Sequence, residues 1–323
     1  MMGGHGQSRR EMLGGATAAL GAALTGALPA EAREAKADPP AREPFAFMLN
    51  TATIKGQNLP LAEEIELAAR CGYQAIEPWA SELDKHVKDG GSLKDLGKRV
   101  RDNGLTVESC IAFAEWIVDD DGRRKKGMEE SRRIMDMLRQ IGGKRLAAPP
   151  AGATNQTDLP LLRVAERYRD LMDLGEKMDV TPIAEFWGFS KTMSRLGEAL
   201  MVAVECGRPG GCVLVDVSHL YKGGSGFTGL PLVGAPALPV IHVNDYPASP
   251  PRAEIADQFR VYPGDGVAPL KQMLRDLHTN GFHGFLSLEL FNHEYWQKDA
   301  LLVARTGLEK MKALVHAGLE SKP

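Results

Sequence analysis

Several features that would each have fixed a function class are missing from this sequence. Its four cysteines, Cys71, Cys110, Cys206 and Cys212, include no CxxC pair. Three of them fall in or beside expected strands or helix ends, which reads as buried free thiols; a Cys206–Cys212 bond is the alternative in an oxidising compartment. Neither sign of charge dominates, since 39 Lys and Arg face 42 Asp and Glu for a net charge of -3. Without a basic field, nucleic acid is not an expected partner. No glycine-rich phosphate cradle is present. The uncharged stretch from Gly14 to Leu28 is diluted with Gly, Ala and Thr, and it falls short of the roughly 20 strongly apolar residues that a membrane span needs. Stable membrane insertion is therefore not expected.

What precedes and follows that stretch gives it a different meaning. Ser8-Arg9-Arg10-Glu11-Met12-Leu13 stands before it, and the small-x-small pattern Ala30-Glu31-Ala32 comes after it. Together these resemble a twin-arginine export signal, with Met12 and Gly14 in place of the usual Phe and Lys. The expectation is an export signal over 1–32, a linker rich in Ala, Pro and charge over 33–43, and a periplasmic or otherwise exported domain over 44–318.

At 323 residues with 43% hydrophobic content, the chain can bury one large core. From Pro44 onward, strand-like and helix-like segments alternate without a second change of composition. Strands are expected at Phe45 to Leu49, Tyr73 to Ile76, Thr106 to Ile111 and Arg145 to Ala148, then at the ends of four later βα units. Ser92 caps one expected helix, and Ser190 is read as the cap of another reaching Glu205. Ile134, Met137, Leu138 and Ile141 recur at i, i+3, i+4 and i+7, marking an amphipathic helix. Asp119 to Lys126 reads as a solvated charged loop, and Lys222 to Pro239 as an irregular loop where a helix would be expected. Eight strands with mostly helical crossovers predict an α/β fold, a closed (β/α)8 TIM barrel.

The last four strands end alike. Cys212-Val213-Leu214-Val215 runs into Asp216, Val180 to Ala184 into Glu185, Pro239 to Ile241 into His242, and Phe285 to Leu288 into Glu289. Chemistry gathers at the C-terminal ends of parallel strands, so four such ends belong together. Three carboxylates and one imidazole form a hard, oxygen-rich donor set. It suits one divalent ion, manganese foremost, with magnesium, cobalt or zinc as alternatives.

The blocks Asp216-Val-Ser-His219, His242-Val-Asn-Asp245 and Pro263-Gly-Asp-Gly266, with Gly281-Phe-His-Gly284 leading to Ser287-Leu-Glu289, resemble the sugar phosphate isomerase/epimerase family of xylose isomerase-like TIM barrels. The resemblance runs from about Phe45 to Val315. It implies that Glu185, Asp216, His242 and Glu289 are the metal ligands, that Glu185 and Glu289 double as the acid/base pair, and that His219 contacts a substrate oxygen. The implied activity is a metal-dependent isomerase or epimerase, moving a proton next to the carbonyl of a sugar or keto-sugar through a metal-stabilised enediolate. A lyase or dehydratase acting on an oxidised sugar or glycoside is the alternative with the same residues. The chain departs from the ketose 3-epimerases of this family at two positions. Lys191 stands where they carry a second Glu, and Ala248 where they carry an Arg, with Arg252 as its stand-in. Lys191 and Arg252 accordingly join His219 as candidate substrate contacts. Endonuclease IV shares the barrel but places histidines on the early strands, where the strand ends here carry Glu77 and the Cys110 to Phe113 region.

Other positions carry two readings. Glu77 also ends a strand at the active face, as a substrate contact or as a rim ion pair. Asp245 either supports His242 or is a turn residue. The aromatics Trp79, Trp116, Phe186, Trp187, Tyr246 and Phe291 lie near strand ends, as a sugar-stacking wall or as plugs of the barrel mouth. Barrels of this kind often pair, so a homodimer is compatible with the sequence.

Overall fold

The computed structural model describes residues 43–320. The expected export signal over 1–32 and all of the expected linker except Glu43 lie outside the described residues. Strands and helices alternate as β1 (Ala46–Asn50), α1 (Leu61–Cys71), β2 (Ala75–Glu77), α2 (Ala80–Lys88), α3 (Leu93–Asp102), β3 (Thr106–Val107), α4 (Asp121–Gln140), β4 (Arg145–Ala148) and α5 (Leu161–Met178). They continue through β5 (Thr181–Glu185), α6 (Leu196–Glu205), β6 (Val213–Asp216), α7 (Val217–Gly223), β7 (Val240–Val243), α8 (Leu270–Thr279), β8 (Phe285–Leu288) and α9 (Ala300–Glu320). All strand pairings are parallel, in the order β3-β2-β1-β8-β7-β6-β5-β4. Between β3 and β4 the seam is held by isolated parallel bridges, Val107 to Gly143 and Cys110 to Leu146. The expected (β/α)8 architecture is thus present, and its third strand is a two-residue ladder rather than the six-residue run expected from Thr106 to Ile111.

Strand register decides which side chains share the barrel interior. Asp216 is paired with His242 and His242 with Ser287, while Asn50 is paired with Glu77. Because side chains alternate with a period of two, residues in register share a face, as do residues two apart. Glu289 lies two beyond Ser287, and Asp216 two beyond Leu214, the partner of Glu185. All of these polar groups therefore point inward in one layer. Two residues earlier on the same strands sit Met48, Ala75, Ile183, Leu214 and Val240. With Ile111, Ala147 and Cys212 they form a separate buried apolar cluster that plugs the barrel beneath the polar layer. The opposite parity, including Leu49, Ile76, Val215, Ile241, Val243 and Leu288, packs outward in the large cluster under the helices.

Helix ends follow their sequence signals in most places. Ser92 accepts from the Asp95 amide to cap α3. Gly72, at φ 95°, closes α1 in a left-handed conformation that a residue with a Cβ adopts only under strain. Two expectations fail. The run Asp119 to Lys126 is not a loop: Asp120 accepts from the Arg123 amide and starts α4. The helix was concealed because its first buried positions are the small residues Gly127 and Ser131, not large apolar ones. Ser190 caps no helix, since its hydroxyl turns back to the Thr192 amide. α6 begins later, where the Glu198 carboxylate accepts from the amides of Ser194 and Arg195. All four cysteines are free, so the Cys206–Cys212 alternative falls. Lys222 to Pro239 lacks a long helix, as expected, and carries two short 3₁₀ turns instead. Among the described residues, no helix is long and apolar enough to cross a membrane.

One buried carboxyl works against stability. Glu64 on α1 is 2% exposed and its Oε2 has no hydrogen-bond partner. Burial, with the Glu82 carboxylate adding to it, pushes the Glu64 pKa from 4.5 up to about 9. A folded-state pKa above the unfolded value favours the protonated fold. Stability is then greatest at low pH and falls as pH rises from about 4.5 through about 9. The substitution Glu64→Gln keeps the shape and removes the ionisation. At pH 8 the variant is expected to melt roughly 2–4 °C above the native chain, equivalent to about 1 kcal/mol in a large domain, with the gap closing toward pH 5. Melting curves at the two pH values that show the same gap would refute this assignment.

Candidate active site

The polar layer at the C-terminal ends of the strands is built around His242. Its imidazole is fully buried, with Nε2 at 3.0 Å from Glu77 Oε2. Nδ1 faces the other way, 3.0 Å from Glu289 Oε2 and 3.8 Å from Asp216 Oδ2. Glu77 is itself fully buried and accepts from Asn50 at 2.9 Å, from Ser287 at 2.7 Å and from the Ser109 hydroxyl. Burial opposes its ionisation, yet the His242 charge and these hydrogen bonds hold its pKa below the usual carboxylate value. The imidazole pKa is raised well above its usual value, because Glu289 and Glu77 outweigh the penalty of burial.

Asp216 has two duties because it ends a strand and begins a helix. Oδ1 accepts from the His219 amide at 2.8 Å and caps α7. Oδ2 accepts from Asn244 at 2.9 Å and from Arg260 Nη1 at 2.9 Å. The same Nη1 donates to Glu289 Oε2 at 2.7 Å, while the other side of the guanidinium grips Asp257 at 2.7 Å. Arg260 is 2% exposed, so one buried cation sits against two inward carboxylates. Glu289 also accepts from Asn50 at 3.2 Å. Burial raises its pKa, but the stronger pull of His242 and Arg260 keeps it lowered.

Glu185 has the opposite environment. Oε1 accepts from Trp187 Nε1 at 3.1 Å, and Oε2 is buried without a partner. Desolvation raises its pKa to about 8, with His242 pulling down and Glu289 and Asp216 pushing up. The two catalytic candidates are therefore held in opposite protonation states near neutral pH.

One donor atom each from Asp216, His242 and Glu289 lies within 4.8 Å of the others, and all three residues are buried. Their chemistry fits a divalent cation. Two buried donor atoms aimed at the site, His242 Nδ1 and Glu185 Oε2, have no hydrogen-bond partner. The oxygens of Asp216 and Glu289 are already gathered around the positive charge of Arg260 Nη1. Glu77 stands behind His242 Nε2, where it fixes the ring so that Nδ1 faces the carboxylates.

Of the expected ligands, Asp216, His242 and Glu289 come together, and Glu185 stands within electrostatic reach of all three. His219 is 5% exposed, and burial lowers its pKa, so it is neutral near pH 7. It lines a cavity of about 190 Å³ together with Phe189, Tyr246, Asp257 and Arg260. Of the two readings of Glu77, the structure places it in an ion pair with His242, its oxygens held by buried partners and away from the opening. Lys191 is exposed, and its amide donates to the Thr154 carbonyl at 2.7 Å. Arg252 is exposed too, with its guanidinium beside Gly224. Neither is brought to the carboxylates, and Arg260 supplies the cation there.

Asp245 accepts from the amides of Tyr246, Gly264 and Ala268. It is the knot of the Pro263-Gly-Asp-Gly266 turn, where a Cβ on Gly266 would lie 2.3 Å from Asp245 Oδ1. Trp116 and Phe186 are buried in the large cluster under the helices, so they form neither wall nor plug. The residues missed were Arg260, Asn50 and Asn244. Asn50 was within reach of the strand-end rule, which fails only because the first strand extends one residue past Leu49.

Removing Arg260 leaves two buried carboxylates without their cation. Arg260→Met is expected to lower unfolding free energy by about 3 kcal/mol, with Arg260→Lys recovering only part because an ammonium cannot bridge Asp216, Glu289 and Asp257 together. Urea unfolding that finds Arg260→Met within about 0.5 kcal/mol of the native chain would contradict this geometry.

A family model described as xylose isomerase-like TIM barrel matches residues 65–314. An inosose isomerase of Bacillus velezensis is 26% identical over 267 residues, covering 80% of this chain and 93% of the relative. A fructoselysine 3-epimerase of Escherichia coli O157:H7 is 22% identical, covering 81% of this chain and 96% of the relative. Among solved structures, that of the IolI protein with a bound zinc atom gives a TM-score of 0.78 at 23% identity, over 85% of this chain and 100% of the other. At that identity the likeness to the solved structure is one of fold.

Proposed function

Because the chain belongs to the xylose isomerase-like TIM barrel family, we propose that it is a divalent-metal-dependent isomerase or epimerase of a sugar or keto-sugar. The observation that carries this reading is geometric: donor atoms of Asp216, His242 and Glu289 lie within 4.8 Å of one another among buried groups at the strand ends, and Glu185 Oε2 is buried without a hydrogen-bond partner. Glu289, ionised, takes the proton from the carbon next to the substrate carbonyl, and the C–H electron pair moves onto the carbonyl oxygen. Glu185, protonated, returns a proton to carbon. From the opposite face of the same carbon this inverts its configuration, and at the neighbouring carbon it interconverts aldose and ketose. A divalent ion held by Asp216, His242 and Glu289, with Glu185 as a further donor, supplies positive charge for the substrate oxygens that become negative. Asn50 and Arg260 orient Glu289 for its part, and Trp187 orients Glu185.

The named activities of the curated relatives, inosose isomerase and fructoselysine 3-epimerase, support the substrate class. Export by the twin-arginine route is part of the proposal and rests on Ser8 to Leu13. Changing Arg9 and Arg10 to Lys is expected to leave the chain in the cytoplasm on cell fractionation.

In deuterated water, the metal-loaded protein is expected to return ketose or inosose labelled at the carbon beside the carbonyl. Glu185→Gln and Glu289→Gln should each lower kcat at least about 100-fold, the usual scale for an acid/base group. Chelation should abolish turnover, and manganese or zinc should restore it. An unsaturated product in place of labelled sugar would assign a lyase. A panel without either product, on protein shown by elemental analysis to carry metal, would refute catalysis on these sugars.

A further inference from the structure

The mouth of the barrel carries more aromatic surface than a sugar ring requires. Six rings touch in sequence around it. Phe291 meets Trp79 at 5.9 Å, Trp79 meets Phe113 at 5.2 Å, and Phe113 meets Trp187 at 5.7 Å between centroids. Trp187 then stacks on Phe189 at 5.4 Å, and Phe189 meets the His219 ring at 5.8 Å. The rim is tied to the reacting groups at two points, Trp187 Nε1 to Glu185 and Trp79 Nε1 to Asn50. Phe291 lies under the Arg260 guanidinium, 5.0 Å from its carbon. Within this rim Phe113 and Phe189 are unlike the rest, being 47% and 51% exposed and flanking Trp187 from either side.

A free sugar presents one apolar C–H face, and a single ring covers it. Two further phenyl groups left half in water, both touching the indole that orients Glu185, extend the apolar surface beyond any pyranose seated between Glu185 and Glu289. Exposed apolar surface continuous with a polar site marks a ligand that is apolar at one end. From this we infer that the substrate is a keto-sugar joined through a glycosidic bond to a planar aromatic group, its sugar ring over the carboxylates and its aryl group on Phe113 and Phe189. Aromatic groups pair well with such a shelf, since offset and edge-to-face contacts add to the area they bury. The inference rests on the sugar reading proposed above.

The test is isothermal titration of the zinc-loaded full chain with matched pairs of 4-nitrophenyl and methyl glycosides, and with 4-nitrophenol alone. For at least one pair the aryl glycoside is expected to bind ten or more times as tightly as its methyl counterpart. The variants Phe113→Ala and Phe189→Ala, single and combined, should reduce that ratio toward one while methyl glycoside affinity stays the same. Both side chains are half exposed, so melting temperatures near the native value are expected and confirm folded variants. Equal binding of every aryl and methyl pair would overturn the inference and leave the sugar reading standing. Binding of 4-nitrophenol as tight as that of its glycosides would instead overturn the sugar reading while keeping an aromatic shelf. A native dimer that the double variant turns into a monomer in sedimentation, without aryl preference, would assign the shelf to a second copy of the chain and overturn the inference as well.

Discussion

The buried imidazole of His242 is the fixed point of this molecule. An ionisable ring with no solvent exposure persists only if both nitrogens have charged or polar company, and here Glu77 and Glu289 provide it from opposite sides. Each of those acids is then a buried charge needing its own support. Glu77 receives it from Asn50, Ser109 and Ser287, and Glu289 from Asn50 and Arg260. The same arginine reaches Asp216, whose other oxygen holds the first turn of α7. Charge compensation therefore spreads from one ring to β1, β2, β3's following loop, β6 and β8. The buried polar layer and the closure of the barrel top are one network, and neither can be altered without disturbing the other.

The apolar plug beneath that layer gives the network its strength. Met48, Ile183, Leu214 and Val240 occupy the positions two residues before Asn50, Glu185, Asp216 and His242. They exclude water from below, so electrostatic interactions in the layer above act in a low effective dielectric. Glu185 shows the consequence most directly. With no cation of its own within bonding distance and one oxygen unpartnered, it responds to desolvation by holding its proton. Glu289, three strands away and facing Arg260, responds to the same dielectric in the opposite sense, with its pKa lowered. One plug thus shifts two identical side chains in opposite directions, because the neighbours differ.

Much of this was legible in the sequence, and the reason is periodicity. A strand buried on both faces reads as an apolar run, and a charge at its end is conspicuous, so Glu185, Asp216, His242 and Glu289 could be named without coordinates. The same logic located β4 and β8 to the residue. It failed where the determining contact is not periodic. Arg260 arrives from an irregular segment and enters the site by the length of its side chain, which no spacing rule records. Glu77 obeyed the strand-end rule, yet the rule does not say whether a strand-end acid faces the opening or backs another ligand. That depends on which neighbours, here Ser109 and Ser287, saturate its oxygens. The start of α4 was hidden because close packing against Glu115 demands Gly127, leaving no apolar residue to announce the buried face.

The split between what could and could not be read follows from how the two halves of the site are made. Strand ends are fixed by backbone hydrogen bonds and hold their side chains in register, so their positions can be read from the strands. The side chains around the mouth come instead from the loops after β3, β5 and β7 and from α7. The loops carry Phe113, Phe189 and Arg260, and α7 carries His219. A loop can lengthen, as the one after β7 does across residues 244–260, without moving a single strand. Ala248 and Arg252 illustrate this. Counting residues from His242 leads to positions that lie away from the carboxylates, while the charge is delivered from further along the same loop by Arg260. Residue counts are reliable only along elements whose rise per residue is fixed. The rim of this barrel is therefore written in three-dimensional contacts among side chains outside the strands, whereas the buried polar layer is written in the strand ends.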